Sequence, residues 1–249
     1  MKLRVQETTG SEDYIRSQEN TSAVSGTLER LEEVRAEIEQ AAAKSGRNVQ
    51  EIELIAVSKA HNAEKIHEVI AGGQLLFGES KVQEARAKIP LLPSHLRWHF
   101  IGHLQKNKIR HALPLFELIH SVDSVDLANQ VERIGKEDGL FPRVLLQVNV
   151  AGEGSKFGFK PEALIENMEQ LLELQRLSIE GLMTIAPLAT DAEKSRPHFA
   201  RLQLLRSELE QRFHLKLPHL SMGMSDDFVV AIEEGATLVR IGTRIFGPR

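Results

Sequence analysis

The chain alternates short apolar runs with longer amphipathic stretches, and this alternation constrains its fold more than any other feature. Short apolar runs are typical of buried strands, and amphipathic stretches between them are typical of helices. The runs predict strands at 52–58, 75–78, 97–101, 118–122, 144–150, 179–185, 217–221 and 238–241. Eight strands with intervening helices predict an α/β fold, a single (β/α)8 barrel of the TIM type.

An N-terminal helix is predicted to pack on this barrel. A stripe of apolar residues indicates an amphipathic helix that begins at Thr27 as its N-cap and stops near Gly46: Leu28, Leu31, Val34 and Ile38. Because the eighth strand is followed almost at once by the last residue, the final helix is predicted to be short, and the N-terminal helix is expected to cover the gap. Residues 1–26 are polar and lack this periodicity, so we predict a flexible extension before a barrel domain at 27–249.

The composition excludes several classes of function. The 249 residues carry a net charge of -4 and no cysteine. A nucleic-acid-binding face needs a basic excess, so no nucleic-acid partner is expected. The lack of cysteine excludes disulfides and thiolate sites and agrees with a reducing cytoplasm, where we expect the protein to act. No apolar stretch reaches the ~20 residues that cross a bilayer, so no membrane segment is expected.

The first predicted strand ends in a single lysine, Lys59. The run at 52–57 is apolar except for Glu53, and the carboxyl ends of barrel strands carry the ligand sites of this fold. One interpretation is a hydrated side chain. The other is a Schiff-base amine, because an apolar strand end favours the neutral, nucleophilic form. Lys156 is the competing amine, in a glycine-rich loop after the fifth strand whose composition is also explained by flexibility alone.

The second and third strand ends carry polar residues with more than one interpretation. Gly78 permits a tight turn, and Glu79 or Ser80 could cap the following helix. His99 and His103 are four residues apart, which would suit a metal on a helix. The residues between them indicate strand and turn instead. We therefore expect no metal, and we interpret His99 as a packed or pocket-lining side chain.

The last two strand ends carry a more specific pattern. Ser225 or Asp226 is predicted to open a helix, where backbone N–H groups are unpaired, and Gly242 and Thr243 follow the eighth strand. Taken separately, the two motifs are also explained by a helix cap and a strand end. Loops after strands seven and eight are the recurrent phosphate site of this barrel. With Lys59 they indicate a carbonyl-bearing phosphate ester, and pyridoxal 5′-phosphate (PLP) has that form.

Six motifs, in consistent order, resemble the pyridoxal phosphate homeostasis proteins, also called the proline synthase co-transcribed family. They are AVSK at 56–59, FGE at 77–79, HFIGHLQ at 99–105, GLM at 181–183, SMGMS at 221–225 and RIG at 240–242. The resemblance covers roughly residues 27–249 and implies a single barrel of the alanine-racemase N-terminal type. One departure is Ser80, which stands where the family usually has asparagine.

The resemblance also implies a set of PLP contacts without any metal ligand. Lys59 is the aldimine lysine, and Arg240 is the partner of the pyridine nitrogen. The phosphate cup is Ser225, Gly242 and Thr243, and the remaining expected contacts are His99, Met222 and Ser80.

Three classes of function are compatible with these residues. The resemblance implies a PLP-binding protein that stores, delivers or buffers the cofactor without turnover, with PLP and PLP-dependent apo-enzymes as partners and a monomeric state. The alternatives are a PLP-dependent amino-acid racemase and an aldolase-like barrel acting on a sugar phosphate. We expect the first, because racemisation needs a second acid/base opposite the lysine. In the racemases that this barrel resembles, this second acid/base is a tyrosine of an additional C-terminal domain. The sequence ends at Arg249, and its only tyrosine, Tyr14, lies in the predicted extension. His99 and His103 are the alternative candidates for the second acid/base.

Overall fold

The fold is a closed barrel of eight parallel strands, as predicted. The computed structural model describes residues 10–154 and 156–248, with side chains from Gly26 onward. The strands, β1 to β8, are Glu53–Val57, Leu76–Glu79, Arg97–Phe100, Leu118–Val122, Arg143–Gln147, Ser178–Met183, His219–Ser221 and Leu238–Ile241. Each strand pairs with its neighbour in sequence, and β1 closes the barrel on β8 with Ala56 opposite Ile241.

Helices surround the barrel. In chain order, α1 to α9 are Gly10–Lys44, Ala63–Ala71, Val82–Lys88, Ile109–Ala112, Val125–Glu137, Pro161–Leu172, Arg196–Phe213, Phe228–Glu233 and Thr243–Phe246. A 3-10 turn at Ala192–Ser195 leads directly into α7. None of the helices within the described ranges has the length and apolar character needed to cross a membrane.

Helix α1 differs from the prediction at its start. It begins at Gly10 and not at Thr27, and Thr27 is fully buried within the helix where an N-cap was predicted. No proline interrupts residues 10–26, so the helical hydrogen bonds can continue through a sequence that lacks an apolar stripe. The flexibility of the segment 1–26 stays a prediction, and residues 1–9 lie outside the described part of the chain.

The C-terminal half of α1 covers the gap beside β8, as predicted. Helix α9 has only four residues. Arg30 Nε donates to Ile245 O at 2.9 Å, and Lys44 Nζ pairs with Glu233 of α8 at 2.6 Å. Just after the helix, Arg47 Nη1 donates to Ile232 O at 2.9 Å and to Ala236 O at 2.7 Å. An ion pair joins Glu37 to Arg244. Helix α1 therefore packs on both α8 and α9 and takes the place of a long final helix.

The barrel interior has three layers. The middle layer is apolar and separate from the main core, with Ile55, Leu118, Leu145 and Leu238 as members. Polar side chains lie at both ends of this apolar layer. The amino-end layer is charged and contains Glu53, Arg97, Arg143 and His219. The carboxyl-end layer is hydrogen-bonded and contains His99, His120, Ser221 and Arg240.

Candidate ligand site at the carboxyl end of the barrel

Lys59 lies in a tight turn directly after β1. His61 N donates to Ser58 O at 3.1 Å across the turn, and Ala60 has a φ of 65°. A positive φ at the third residue is the geometry of a type II turn, which favours glycine. Alanine in this conformation costs on the order of 1–2 kcal/mol. Other contacts must therefore hold the turn that carries Lys59.

A charged cluster supplies those contacts. Lys88 Nζ donates to Ser58 O at 2.9 Å, and Glu84 Oε1 accepts from Ala60 N at 2.6 Å. Lys88 also pairs with Glu84 at 2.9 Å and with Glu79 Oε1 at 2.6 Å, and the Ser58 hydroxyl donates to the same Glu79 oxygen at 2.7 Å. The cluster thus fixes the backbone on both sides of Lys59, and we call Glu79, Glu84 and Lys88 the turn clamp.

Glu79 and Ser80 do not cap the following helix, so that interpretation is wrong. Helix α3 has Lys81 at its N-cap position without a side-chain capping bond. Glu79 is the last residue of β2 and is fully buried, and it pairs with Lys88 in the turn clamp. Burial raises the pKa of Glu79, while the hydrogen bonds from Lys88 and Ser58 lower it. Its Oε2 atom is buried and has no hydrogen-bond partner among the described residues.

The loop ends after β7 and β8 meet beside the Lys59 turn. Thr243 Oγ1 donates to Ser225 Oγ at 3.1 Å in an exposed position. A Cβ atom on Gly242 would lie 3.3 Å from Val57 O, so this loop packs closely on the end of β1. His61 stacks on Phe246 with ring centroids 4.7 Å apart, which ties the loop after β1 to α9.

Ser225 does not open a helix, in contrast to the prediction. Helix α8 begins at Phe228, and Asp227 occupies its N-cap position. Asp227 Oδ1 accepts from Met224 N at 2.7 Å, and Asp227 Oδ2 accepts from the Ser195 hydroxyl at 2.9 Å. These bonds fold the chain into a turn before α8 and leave the Ser225 hydroxyl beside Thr243. Met222, in the same loop, is fully buried in the main core.

Arg240 projects into the carboxyl-end layer of the barrel. It is 5% exposed, and its guanidinium donates to Ser221 Oγ and, at 3.0 Å, to Thr184 O. Burial lowers the pKa of Arg240 to about 10, while Asp227 acts in the opposite direction. The side chain therefore remains charged at neutral pH. A guanidinium has five N–H donors, and these two bonds leave donors for a ligand.

Two buried histidines continue this network across the barrel. His120 Nδ1 lies 2.8 Å from Ser221 Oγ, and His120 Nε2 lies 3.0 Å from His99 Nδ1. Burial lowers the pKa of His99 to about 3 and the pKa of His120 well below its ordinary value. Both rings are therefore neutral at physiological pH. His99 is 2% exposed, and its Nε2 atom is buried without a partner among the described residues.

His99 and His103 do not share a metal site. His103 stacks on Phe157 with ring centroids 3.8 Å apart, and its Nδ1 lies 3.4 Å from Asp123 Oδ2. His99 contacts His120 instead. Over residues 26–154 and 156–248, no group of three His, Asp or Glu side chains is arranged to hold a metal ion.

Hydrogen bonds of Asn149 order the loop after β5, so flexibility alone does not explain the composition of this loop. Asn149 Nδ2 donates to Glu153 O at 2.8 Å, and its Oδ1 accepts from Gly152 N at 3.0 Å. Lys156 pairs with Glu153 at 3.1 Å and lines a cavity of about 170 Å³ with Phe157. Lys156 thus belongs to the β5 side of the barrel, whereas Lys59 follows β1.

Ser80 lines a second cavity, on the side of β2 and β3. Its volume is about 370 Å³, and its walls include His103, Gln105 and Lys108. A Cβ atom on Gly102 would lie 2.1 Å from Ser80 O, so only glycine allows the loop after β3 to pack there. Of the eight expected contacts, Lys59, Ser225, Gly242 and Thr243 are brought together, and Arg240 and His99 share the interior network. Ser80 lines the second cavity, and the side chain of Met222 is buried in the main core.

The comparisons with known proteins agree with this geometry. A family model described as the N-terminal domain of alanine racemase matches residues 30–249. A pyridoxal phosphate homeostasis protein of Aquifex aeolicus is 44% identical over 89% of this chain and 97% of its own length. The Escherichia coli protein of the same name is 38% identical over 88% of this chain and 95% of its own. This chain belongs to the pyridoxal phosphate homeostasis protein family.

Solved structures place the family on the same fold. The PipY protein of Synechococcus elongatus without PLP has a TM-score of 0.80 at 43% identity, covering 88% of this chain and 99% of PipY. PipY with PLP bound has a TM-score of 0.78 at 42% identity, covering 89% and 100%. An alanine racemase of Clostridium difficile has a TM-score of 0.63 at 17% identity, covering 80% of this chain and 53% of the racemase, and shows the fold alone.

Proposed function

We propose that this protein binds PLP at the carboxyl end of its barrel and acts in PLP homeostasis, storing, delivering or buffering the cofactor without a dedicated reaction. The observation that carries the proposal is the meeting of three strand ends: the Lys59 turn after β1, Ser225 after β7, and Gly242 with Thr243 after β8. Membership of the family and the PLP-bound structure of PipY support it.

The residues present fit the chemistry of the cofactor. PLP supplies an aldehyde that reacts with amines, and Lys59 is the amine we assign to a Schiff base with it. The hydroxyls of Ser225 and Thr243, 3.1 Å apart, and the backbone at Gly242 are donors suited to a phosphate. The remaining donors of Arg240 suit the pyridine nitrogen. We propose Met222, His99 and Ser80 as further contacts.

The turn clamp gives this assignment a structural basis. A Schiff-base lysine must present its amine in one place, and the clamp fixes the backbone at Ser58 O and Ala60 N by bonds of 2.9 Å and 2.6 Å. The positive φ of Ala60 shows that the turn is held against its local preference. We therefore propose that Glu79, Glu84 and Lys88 position Lys59.

The alternative, a PLP-dependent racemase, lacks a suitable second acid/base among the described side chains of the interior network. Proton transfer needs a group whose pKa lies near the working pH. Burial holds the pKa of His99 at about 3, so this ring is a neutral imidazole at pH 7 and cannot act as an imidazolium acid. Arg240 stays cationic and disfavours protonation of a pyridine nitrogen beside it, which weakens the ring as an electron sink.

We further propose that the protein acts as a monomer in the cytoplasm and that its partners are PLP and PLP-dependent apo-enzymes. A protein whose role is to hold and release a cofactor needs an accessible site. Thr243 is exposed and Ser225 is half-buried at the barrel mouth, which supports hand-over of PLP from this site to another protein.

The test is covalent mapping. Purified protein is incubated with PLP, reduced with borohydride and digested, and the labelled peptide is identified. We expect the label on Lys59, loss of the Schiff-base absorbance in Lys59→Ala, and no loss in the matched control Lys156→Ala. A label on Lys156 would overturn the assignment of the lysine.

A second assay separates storage from turnover. PLP-loaded protein is incubated with L-alanine in deuterated water, and deuterium at the α-carbon is followed with optical rotation. We expect no exchange above that of free PLP. Exchange at enzyme-like rates that disappears in Lys59→Ala would establish the racemase instead.

A further inference from the structure

The interior network links four strands in an unbroken line of polar groups. Arg240 on β8 donates to Ser221 Oγ on β7, Ser221 Oγ lies 2.8 Å from His120 Nδ1 on β4, and His120 Nε2 lies 3.0 Å from His99 Nδ1 on β3. A line that joins β8 and β7 to β4 and β3 of a closed barrel must cross its interior. We call these four residues the interior chain.

The donor at one end determines the direction of every bond in the interior chain. A guanidinium can only donate, so Ser221 Oγ accepts from Arg240. The hydroxyl keeps one proton, and His120 Nδ1 is the acceptor within reach at 2.8 Å. If Ser221 donates to Nδ1, neutral His120 carries its proton on Nε2 and donates to His99 Nδ1. His99 then carries its own proton on Nε2.

The opposite direction satisfies fewer groups. If His120 Nδ1 donated to Ser221, the serine proton would have no acceptor in the interior chain, although Ser221 is fully buried. His99 Nε2 would then be a bare acceptor, also without a partner among the described residues. Because each buried group without a partner is costly, and the direction from Arg240 to His99 leaves only His99 Nε2 unpaired in the interior chain, that direction is the favoured one. Burial keeps the pKa of both histidines far below neutrality, so neither ring gains a second proton.

We infer that the interior chain fixes His99 as the Nε2–H tautomer and that this N–H is a hydrogen-bond donor to the ring oxygen at position 3 of PLP. This inference rests on the proposed function. In a pyridine ring that carries an aldehyde at position 4, the phosphate arm and the hydroxyl flank the aldehyde on opposite sides. Around the barrel, the proposed phosphate residues follow β7 and β8, Lys59 follows β1, and His99 lies on β3, on the opposite side of Lys59.

The chemistry of the two partners is complementary. The oxygen at position 3 is a phenol oxygen that is readily ionised, and an ionised oxygen is a stronger acceptor than a neutral one. A donor that stays neutral across the physiological pH range contributes orientation without adding a charge. His99 is thereby a positioning residue for the ring, distinct from the amine that reacts and from the groups that hold the phosphate.

The first test uses the protein without any ligand. The nitrogen shifts of ¹⁵N-histidine-labelled protein distinguish protonated from unprotonated ring nitrogens, with His99 assigned through His99→Gln. We expect a protonated Nε2 and an unprotonated Nδ1 in wild-type His99, unchanged from pH 6 to pH 8. Ser221→Ala removes the hydroxyl that joins Arg240 to His120 and should leave His99 as a mixture of its two neutral tautomers. The matched control Ser121→Ala removes a neighbouring buried hydroxyl that lacks a partner and should leave His99 unchanged.

A His99 that carries its proton on Nδ1 in the wild-type protein overturns the interior chain, whether or not the protein binds PLP. This reading is taken on the unmodified chain, so it does not depend on the folding of Ser221→Ala.

The second test measures the ligand contact. Pyridoxine 5′-phosphate has no aldehyde and forms no Schiff base, so its affinity can be compared directly with that of the 3-deoxy analogue. We expect wild-type protein to prefer the hydroxylated compound by about tenfold or more, as for a hydrogen bond to a charged group. In His99→Leu the preference should disappear.

An unchanged preference in His99→Leu overturns the contact while leaving the proposed function intact, since both compounds then still bind. Failure of the wild-type protein to bind either compound or PLP overturns the proposed function itself, and the ligand contact with it.

Discussion

The two ends of the barrel interior use polar residues in opposite ways. At the amino end, charges alternate in a continuous series: Arg97 pairs with Glu53 and Glu117, and Arg143 pairs with Glu117 at 2.8 Å and with Glu180 at 2.7 Å. At the carboxyl end, polar groups are more deeply buried and incompletely paired. Among the described residues, His99 Nε2 is buried there without a hydrogen-bond partner.

This difference separates stability from binding within one barrel. The amino-end ion pairs satisfy one another, and hydrogen bonds from Arg97 hold the pKa of Glu117 at about 2 despite partial burial. The carboxyl end retains donors and acceptors that a ligand can use, at a cost in folding free energy for each unpaired atom. Substitutions at the two ends should therefore affect different measurements.

The largest effect is expected for Glu79→Leu. Removal of this carboxylate leaves Lys88 buried without its closest charged partner, and breaking a buried pair costs about 3–5 kcal/mol. The free energy of unfolding is measured in urea. Glu84→Gln is the control, because Glu84 is 27% exposed and its loss should cost less. Equal losses for the two variants would contradict the assignment of Glu79 as the buried centre of the clamp.

Thr243→Val should change binding and leave stability almost unaltered. Loss of a hydroxyl that contacts a charged phosphate weakens PLP by about 1–3 kcal/mol, whereas the exposed position contributes little to folding. Isothermal titration with PLP and with pyridoxal measures the effect. Only the phosphorylated form should lose affinity, and an equal loss for pyridoxal would place the phosphate elsewhere.

Glu117→Gln should show the reverse pattern. This glutamate bridges Arg97 and Arg143 in a partly exposed position, so the expected loss is about 1–2 kcal/mol of unfolding free energy, with PLP affinity unchanged. A variant that stays folded but binds PLP markedly less well would contradict the separation of stability and binding between the two ends of the barrel.

The same residue predicts a pH dependence. The pKa of Glu117 is about 2 in the folded protein and 4.5 for a glutamate side chain without these contacts. A carboxyl group whose pKa is lowered by folding stabilises the folded state at pH values above its pKa in the unfolded chain. The contribution of Glu117 to the free energy of unfolding is therefore complete above about pH 4.5 and is lost as the pH falls towards 2. The difference in stability between wild type and Glu117→Gln should narrow over that range, which urea titrations at several pH values will measure. A constant difference would mean that the carboxylate charge is not the cause.

The smallest effect is expected for Ser121→Ala. Its hydroxyl is buried without a partner, so its removal relieves a desolvation cost and should stabilise the protein by up to about 1 kcal/mol. A thermal or urea unfolding curve measures the gain. A clear loss of stability would show that the Ser121 hydroxyl makes a hydrogen bond after all.

The sequence was sufficient for the strands and for the grouping of several candidate residues. Short apolar runs located all eight strands, and the barrel then brought Lys59, Ser225 and Gly242 to one end, because parallel strands share their carboxyl edge. The start of α1 and the caps assigned to Glu79 and Ser225 were wrong. Local capping preferences were overridden by the ion pair with Lys88 and by the turn at Asp227.

The interior chain and the turn clamp were not predicted, for a physical reason. His120 is two residues from Leu118 and so shares its inward face, but the register of β4 shifts between Ile119 and Val122. Its partner Ser221 lies 101 positions away. Such pairings depend on strand register and barrel closure. The spacing of Glu84 and Lys88 by four residues is a local signal that could have indicated part of the clamp.

The packing of α1 on α9 has a consequence for how the chain folds. Arg30 and Ile245 are 215 positions apart, and β1 pairs with β8 across a similar separation. Contacts between such distant segments slow folding, because a long loop must close before they form. During synthesis, one edge of β1 and the apolar stripe of α1 stay uncovered until β8, α8 and α9 have been made. We therefore expect barrel closure to be the late step in folding, with the first strand and first helix as the surfaces most exposed to aggregation until it occurs.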